Sequence, residues 1–124
     1  MEERLMTTKE RNEILHGSTY KTKTGCGNIY ITGNYDENKN LIEVFIRLGK
    51  AGGCASSQSE ALGRLISIAL RHGAELGDVI HQLRGIGCHT PVFTGMGNKN
   101  LSCADAVANV LSSMCESKAE PIEE

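Results

Sequence analysis

The chain has 124 residues, 40% of them apolar and 23% charged, with a net charge of −2 and no tryptophan. That length supports one domain with a modest core, and the charge balance disfavours broad nucleic-acid or membrane binding. No apolar run is long enough to span a bilayer, nothing reads as a signal peptide, and the odd count of five cysteines fits a reducing cytoplasm.

In chain order, residues 1–15 read as a polar N-terminal segment with at most a short helix over Lys9–Leu15. Ser18–Lys23 and Asn28–Asn34 read as strands broken by the turn Gly25-Cys26-Gly27, and Asp36–Asn40 as a polar hairpin loop. Ile42, Val44, Ile46 and Leu48 alternate with Glu43, Phe45 and Arg47, which predicts a strand with one buried face. A glycine-rich turn, Gly49-Lys50-Ala51-Gly52-Gly53, leads into a long helical pattern. Ser57 and Glu60 have capping-box spacing at its start. Leu62, Leu65, Ile66 and Ala69 share one face, widened by Ala61 and Ile68, so this helix is expected to sit at a core or a subunit interface. Its leading glycines either allow the backbone path or, with the free N–H groups behind them, cradle an anion.

Gly73 breaks the pattern, and Leu76, Val79, Ile80 and Leu83 predict a second, shorter helix that stops at Gly85-Ile86-Gly87-Cys88. His89–Asn100 reads as a loop. Ser102 with Asp105 opens a third helix that buries Ala106, Val107, Val110, Leu111 and Met114, and residues 116–124 form an acidic tail expected to be disordered. Strands first and helices afterwards predict an α+β fold, a small antiparallel sheet with two or three helices packed on one face. The wide apolar front of the central helix predicts oligomerisation through the helices, as a dimer or as a trimer of dimers.

Cys26, Cys54, Cys88 and Cys103 sit in turns or at helix starts, where four thiols can close a tetrahedral metal site or serve as small apolar filler. No C-x-x-C pair occurs, and the expectation is structural thiols with no metal and no cofactor. Cys88 and His89 are neighbours, but adjacent side chains point apart and no orienting partner follows, so no catalytic set is assigned. The parts for holding a small anionic nucleotide are better. Arg84, Gly85 and His89 lie at the end of the second helix, where its dipole favours cations. Arg64, Arg71 and His72 run along the central helix, and Arg47 and Lys50 flank its entry. Phe93 stands outside any periodic face and is suited to stacking on a base, with Asn98 and Asn100 reading base edges. The alternatives are a solvated helix face for Arg64 and Arg71, and a plug at the sheet edge for Phe93.

Several blocks carry a family resemblance: His16-Gly17-Ser18-Thr19-Tyr20-Lys21, Thr24-Gly25-Cys26-Gly27-Asn28-Ile29-Tyr30-Ile31-Thr32, and Glu43 through Ala55. Gln58-Ser59-Glu60-Ala61, Leu83-Arg84-Gly85-Ile86-Gly87-Cys88 and Ser102-Cys103-Ala104-Asp105-Ala106 continue it. Together they resemble the TSCPD domain, best known from the C-terminal region of vitamin B12-dependent (class II) ribonucleotide reductases. Two places depart from that pattern. The name motif lacks its Thr and Pro, reading Leu101-Ser102-Cys103-Ala104-Asp105, and the loop His89–Asn100 differs. The resemblance implies an accessory or regulatory module related to reductases, without the barrel and radical cysteine that the reaction needs.

In size and layout the chain is also similar to phage proteins of the Thoeris anti-defence family. Those sequester cyclic ADP-ribose signals, and some hold cyclic oligonucleotides, without chemistry. That second resemblance implies a non-enzymatic, cytoplasmic binder of small nucleotide immune signals, with no DNA, RNA or membrane partner. The reductase-related module is the alternative expectation.

Overall fold

The computed structural model describes residues 11–49, 53–95 and 97–119, with side chains to Cys115. Strands β1 (His16–Thr24), β2 (Gly27–Tyr35) and β3 (Leu41–Leu48) form an antiparallel sheet in the order β1-β2-β3. Side chains close both turns. The Thr24 hydroxyl donates to the Gly27 carbonyl (2.8 Å) and accepts the Cys26 N–H (3.1 Å). The Asp36 carboxylate accepts N–H groups from Asn38 and Asn40, both at 2.9 Å, the local bond that makes aspartate a turn residue.

Alternation sorts the sheet into two faces. Ile29, Ile31, Val44, Ile46 and Leu48 are buried in the core. The opposite face is held by cross-strand pairs: the hydroxyls of Thr19 and Thr32 at 2.7 Å, Asn34 donating to Glu43 at 2.9 Å, and Arg47 over the Tyr30 ring at 5.2 Å.

Helix α1 (Gly53–Arg71) closes the outer edge of β3. The Val44 N–H donates to the Ser67 hydroxyl, which donates back to the Val44 carbonyl, each at 2.9 Å. Gly63 makes that approach possible, because a Cβ there would stand only 3.2 Å from the Ile46 nitrogen and the Val44 oxygen. Helix α2 (Leu76–Leu83) packs on α3 (Cys103–Ala119), and α3 lies across β1 and β2. Ile66, Leu70, Ile80, Val107, Leu111 and Met114 join the sheet in a single core. No described helix is long and apolar enough to cross a membrane.

The α+β order of a small sheet followed by helices is as expected, and four local expectations are corrected. The capping box does not form: α1 starts at Gly53, Ser57 lies inside it donating to the Cys54 carbonyl (3.0 Å), and Glu60 pairs with Arg64 (2.8 Å). The apolar front of α1 is rotated. Leu65 is 65% exposed and Ile68 is exposed, while Ser59, Gly63, Ile66 and Leu70 are buried, because docking on the strand edge selects small residues. The expected loop His89–Asn100 contains a hairpin, β4 (Val92–Gly95) paired with β5 (Asn98–Asn100). Helix α3 runs on to Ala119, into the stretch expected as tail. Arg11–Leu15 are not helical, and the rest of the expected short helix, like Lys50 and residues 120–124, lies outside the described residues.

Ser67→Ala leaves the N–H and carbonyl of the fully buried Val44 without their partner. The expected loss is about 1–3 kcal/mol, the range for orphaning a buried polar group, read as a lower urea midpoint with an unchanged slope.

Candidate ligand-binding site

The name-motif segment builds the site. At the start of α3 the Ser102 hydroxyl accepts the Asp105 N–H (3.1 Å) and donates to the Ile86 carbonyl (2.6 Å). The Asp105 carboxylate accepts the Gly85 N–H (2.8 Å) and the Leu101 N–H (2.9 Å). Both side chains are buried, and the Cys88 N–H adds a bond to the Leu101 carbonyl at 3.0 Å. The segment after α2 is thereby tied to the head of α3, with Gly85 in the left-handed region at φ +88°. Arg84, one residue earlier, is set at the rim of a cleft.

That cleft, about 430 Å³, lies between β1, the β4–β5 hairpin and α3. Asn100 fixes its floor. The amide of this buried residue donates to the Thr22 hydroxyl (3.1 Å) and the Lys23 carbonyl (2.7 Å), and its oxygen accepts from Asn109 (3.0 Å). The hairpin is thus clamped to the β1 edge. Lys21, Arg84 and Lys99 line the cleft with Thr94, Asn98 and Ser113, and among the described residues no carboxylate is in the lining. Phe93 stands opposite Lys99 in the hairpin ladder, 74% exposed, with the Lys99 ammonium 5.6 Å from its ring centre.

A second groove, about 540 Å³, runs between the outer sheet face and α1. It holds Arg47, Arg64 and Arg71 beside Tyr30, Phe45 and Ile68, but also Glu43 and Glu60. Arg64 is engaged by Glu60, and Glu43 accepts from Arg11 (2.8 Å) and Asn34 (2.9 Å). Its cations are therefore largely offset by carboxylates, whereas those of the cleft face no carboxylate among the described lining residues. The cleft is the better anion site.

The residues expected to form one site thus fall in several places. Arg84 and Asn98 share the cleft, with Phe93 on the hairpin beside it. Arg47 and Arg71 share the groove. Gly85 gives its N–H to Asp105, His89 is exposed outside both linings, and His72 directly follows α1, half-buried with its N–H on the Ile68 carbonyl (3.0 Å). Asn100, expected to read a base edge, has its amide committed to the clamp. Lys21 and Lys99 were not singled out. Each is an edge-strand lysine, a pattern that ordinarily marks a solvated edge, and only the clamp through Asn100 turns them toward one space. Among the described residues, no group of three or more His, Cys, Asp or Glu is arranged to hold a metal ion.

The fold defines a small α+β domain, a three-stranded antiparallel sheet with three helices and a polar cleft at its free β1 edge. The chain belongs to the TSCPD domain family, whose model matches residues 6–115. No curated protein and no solved structure matches it.

Two outcomes test this construction. Asp105→Ala removes the acceptor of two backbone N–H groups, and a loss of about 1.5–3 kcal/mol, the range for a bond to a charged group, is expected in denaturant titration. Glu43 supplies the second, through pH. Burial works to raise its carboxyl, but hydrogen bonds from Arg11 and Asn34 and the charges of Arg11 and Arg71 prevail, leaving it below its ordinary range. Its stabilisation is complete above the ordinary carboxyl value of about 4.3 and is lost as pH falls through the lower folded value. Glu43→Gln should lower stability at neutral pH and flatten that part of the acid-unfolding profile.

Proposed function

We propose that this domain binds a small nucleotide in the cleft and holds it without chemical change, acting in the cytoplasm of a bacterial host as a viral or prophage sequestering protein. The ligands proposed are nucleotide immune signals, cyclic ADP-ribose isomers or cyclic oligonucleotides. The observation that carries this reading is Lys21, Arg84 and Lys99 converging on one cleft with no carboxylate among its described lining residues. Three cations with no carboxylate among the described lining residues favour an anion, and phosphate suits both the point charge of lysine and the fork of arginine. Phe93 offers an exposed aromatic face beside them for a base, and Asn98, Thr94 and Ser113 offer donors and acceptors for sugar and base edges.

Association of copies through the helical side belongs to the same proposal. Leu65 and Phe45 are exposed by 65% and 54%, and Ile68 lies beside Phe45 in the groove, an apolar surface that a second copy would cover. Light scattering should return a dimer or a trimer of dimers, and a monomer at micromolar concentration would end that part.

The decisive measurement is calorimetry against cyclic dinucleotides, cyclic trinucleotides, cyclic ADP-ribose isomers and dNTPs, with chromatography of ligand released on denaturation. Arg84→Ala should weaken binding by about 1.5–3 kcal/mol and Phe93→Ala by about 1–3 kcal/mol, while Arg64→Ala, engaged in the other groove, leaves it unchanged. Recovery of hydrolysed ligand would make the protein an enzyme. Binding of none of these cyclic nucleotides would leave the reductase-related module as the better reading.

A further inference from the structure

The β1–β2 turn, the segment after α2 and the head of α3 come together, and each carries a thiol: Cys26, Cys88 and Cys103. Thr24 is the hub. Its hydroxyl oxygen accepts the Cys26 N–H at 3.1 Å and lies 3.7 Å from the Cys103 sulfur, so the first residue of α3 sits on the turn that carries Cys26. Cys26 and Cys103 thus gather on one hydroxyl, and Cys88 is tied by its N–H to Leu101, two residues before Cys103. Cys88 is fixed from two sides. Its N–H is held by the Leu101 carbonyl at 3.0 Å, and its sulfur accepts the Thr90 N–H at 3.4 Å with the Thr90 hydroxyl at 3.6 Å. Thr90 in turn presses on the β1–β2 turn, where a Cβ on Gly25 would collide with it.

The environments of the three differ in a useful way. Cys26 and Cys88 are open to solvent and Cys103 is partly covered. The Thr90 N–H aimed at the Cys88 sulfur favours its thiolate and holds its pKa below the usual thiol range. Burial pushes the Cys103 thiol up. Thiolate character with exposure makes Cys88 the point of first attack. Proximity makes Cys103 the thiol that resolves it.

We infer that Cys26, Cys88 and Cys103 form a thiol–disulfide exchange site, which a low-molecular-weight disulfide enters at Cys88 and in which the bond comes to rest between Cys26 and Cys103. With oxidised glutathione as the oxidant, the Cys88 thiolate attacks one glutathione sulfur, and the other leaves as a thiolate. Cys103, its proton released to solvent, attacks the Cys88 sulfur and expels the second glutathione thiolate. The Cys26 thiolate then attacks the Cys103 sulfur, and Cys88 leaves as the thiolate it began as. Two protein thiols are oxidised to one disulfide, and one glutathione disulfide is reduced to two thiols, which take up the released protons. This site is independent of any nucleotide bound in the cleft.

The test is oxidation of the full chain with glutathione disulfide, quenched with N-ethylmaleimide at intervals, followed by intact mass and unreduced peptide mapping. One intramolecular Cys26–Cys103 bridge is expected, reversed by dithiothreitol and formed equally in a Cys54→Ser/Cys115→Ser background. Cys88→Ser should slow its formation severalfold and leave the end product the same. Cys103→Ser should abolish it, with Cys103→Ala as a second variant and circular dichroism to show that each is folded. A bridge between chains, one that ends on Cys88, Cys54 or Cys115, or none at all would overturn the inference. So would an unchanged rate in Cys88→Ser, or zinc uptake that protects all three thiols from the maleimide.

Discussion

A three-stranded sheet has two edges, and at β3 one serine hydroxyl closes the outer one. Ser67 takes both the N–H and the carbonyl of Val44, replacing the neighbouring strand that would otherwise satisfy them. A side chain on the residue one turn earlier would crowd the strand, and Gly63 lets the helix deliver its hydroxyl that close without a shift. The rest of the arrangement follows from this contact. With α1 against the edge, Ile66 and Leu70 turn into the core, while Arg64, Ile68 and Arg71 border the uncovered sheet face. The device removes an exposed row of strand hydrogen-bonding groups, a common template for unwanted pairing.

The opposite side of the domain is organised by charge and capping. Ser102 and Asp105 cap α3, and the same carboxylate reaches outward to bind the segment that ends α2. One buried acid thus orders a helix start and a neighbouring loop together. The cleft beside it gathers positive charge that no carboxylate among its described lining residues cancels, whereas the groove along α1 contains arginines and carboxylates in comparable number. What separates two hollows of similar size is their net charge, and for an anionic ligand that difference decides between them.

Much of the architecture was legible in the residues. Alternation in Ile42–Leu48 marked β3 and its buried face, the Gly25-Cys26-Gly27 turn separated β1 from β2, and Ser102 with Asp105 marked the head of α3. The misreadings have physical causes. Serine followed three residues later by glutamate also occurs inside a helix, and only the chain path before Ser57 shows that α1 has already begun. Helical periodicity located an apolar stripe but carried no signal that Gly63 and Ser67 would dock on a strand edge, which turns Leu65 to solvent. The hairpin is short and polar, held by a ladder and an asparagine clamp instead of apolar burial, so no hydrophobic pattern announces it. Cationic residues could be recognised as a set. Their division between a cleft and a groove depends on which side of the sheet each element reaches, and spacing alone does not encode that.

The hairpin places little of itself in the core. From Phe93 to Lys99 every described side chain is exposed, and the attachment to β1 rests largely on the amide of Asn100. Such a segment is nearly uncoupled from the stability of the domain, since exposed substitutions away from special backbone positions change folding energy little. Gly95 and Gly97, both at positive φ, are the positions where the turn itself constrains the residue. Thr94, Asn98 and Lys99 border the cleft and are open to drift. A lineage of such domains can therefore retune what the cleft accepts by changing a few hairpin residues while the sheet, the edge-closing helix and the motif at the head of α3 stay fixed.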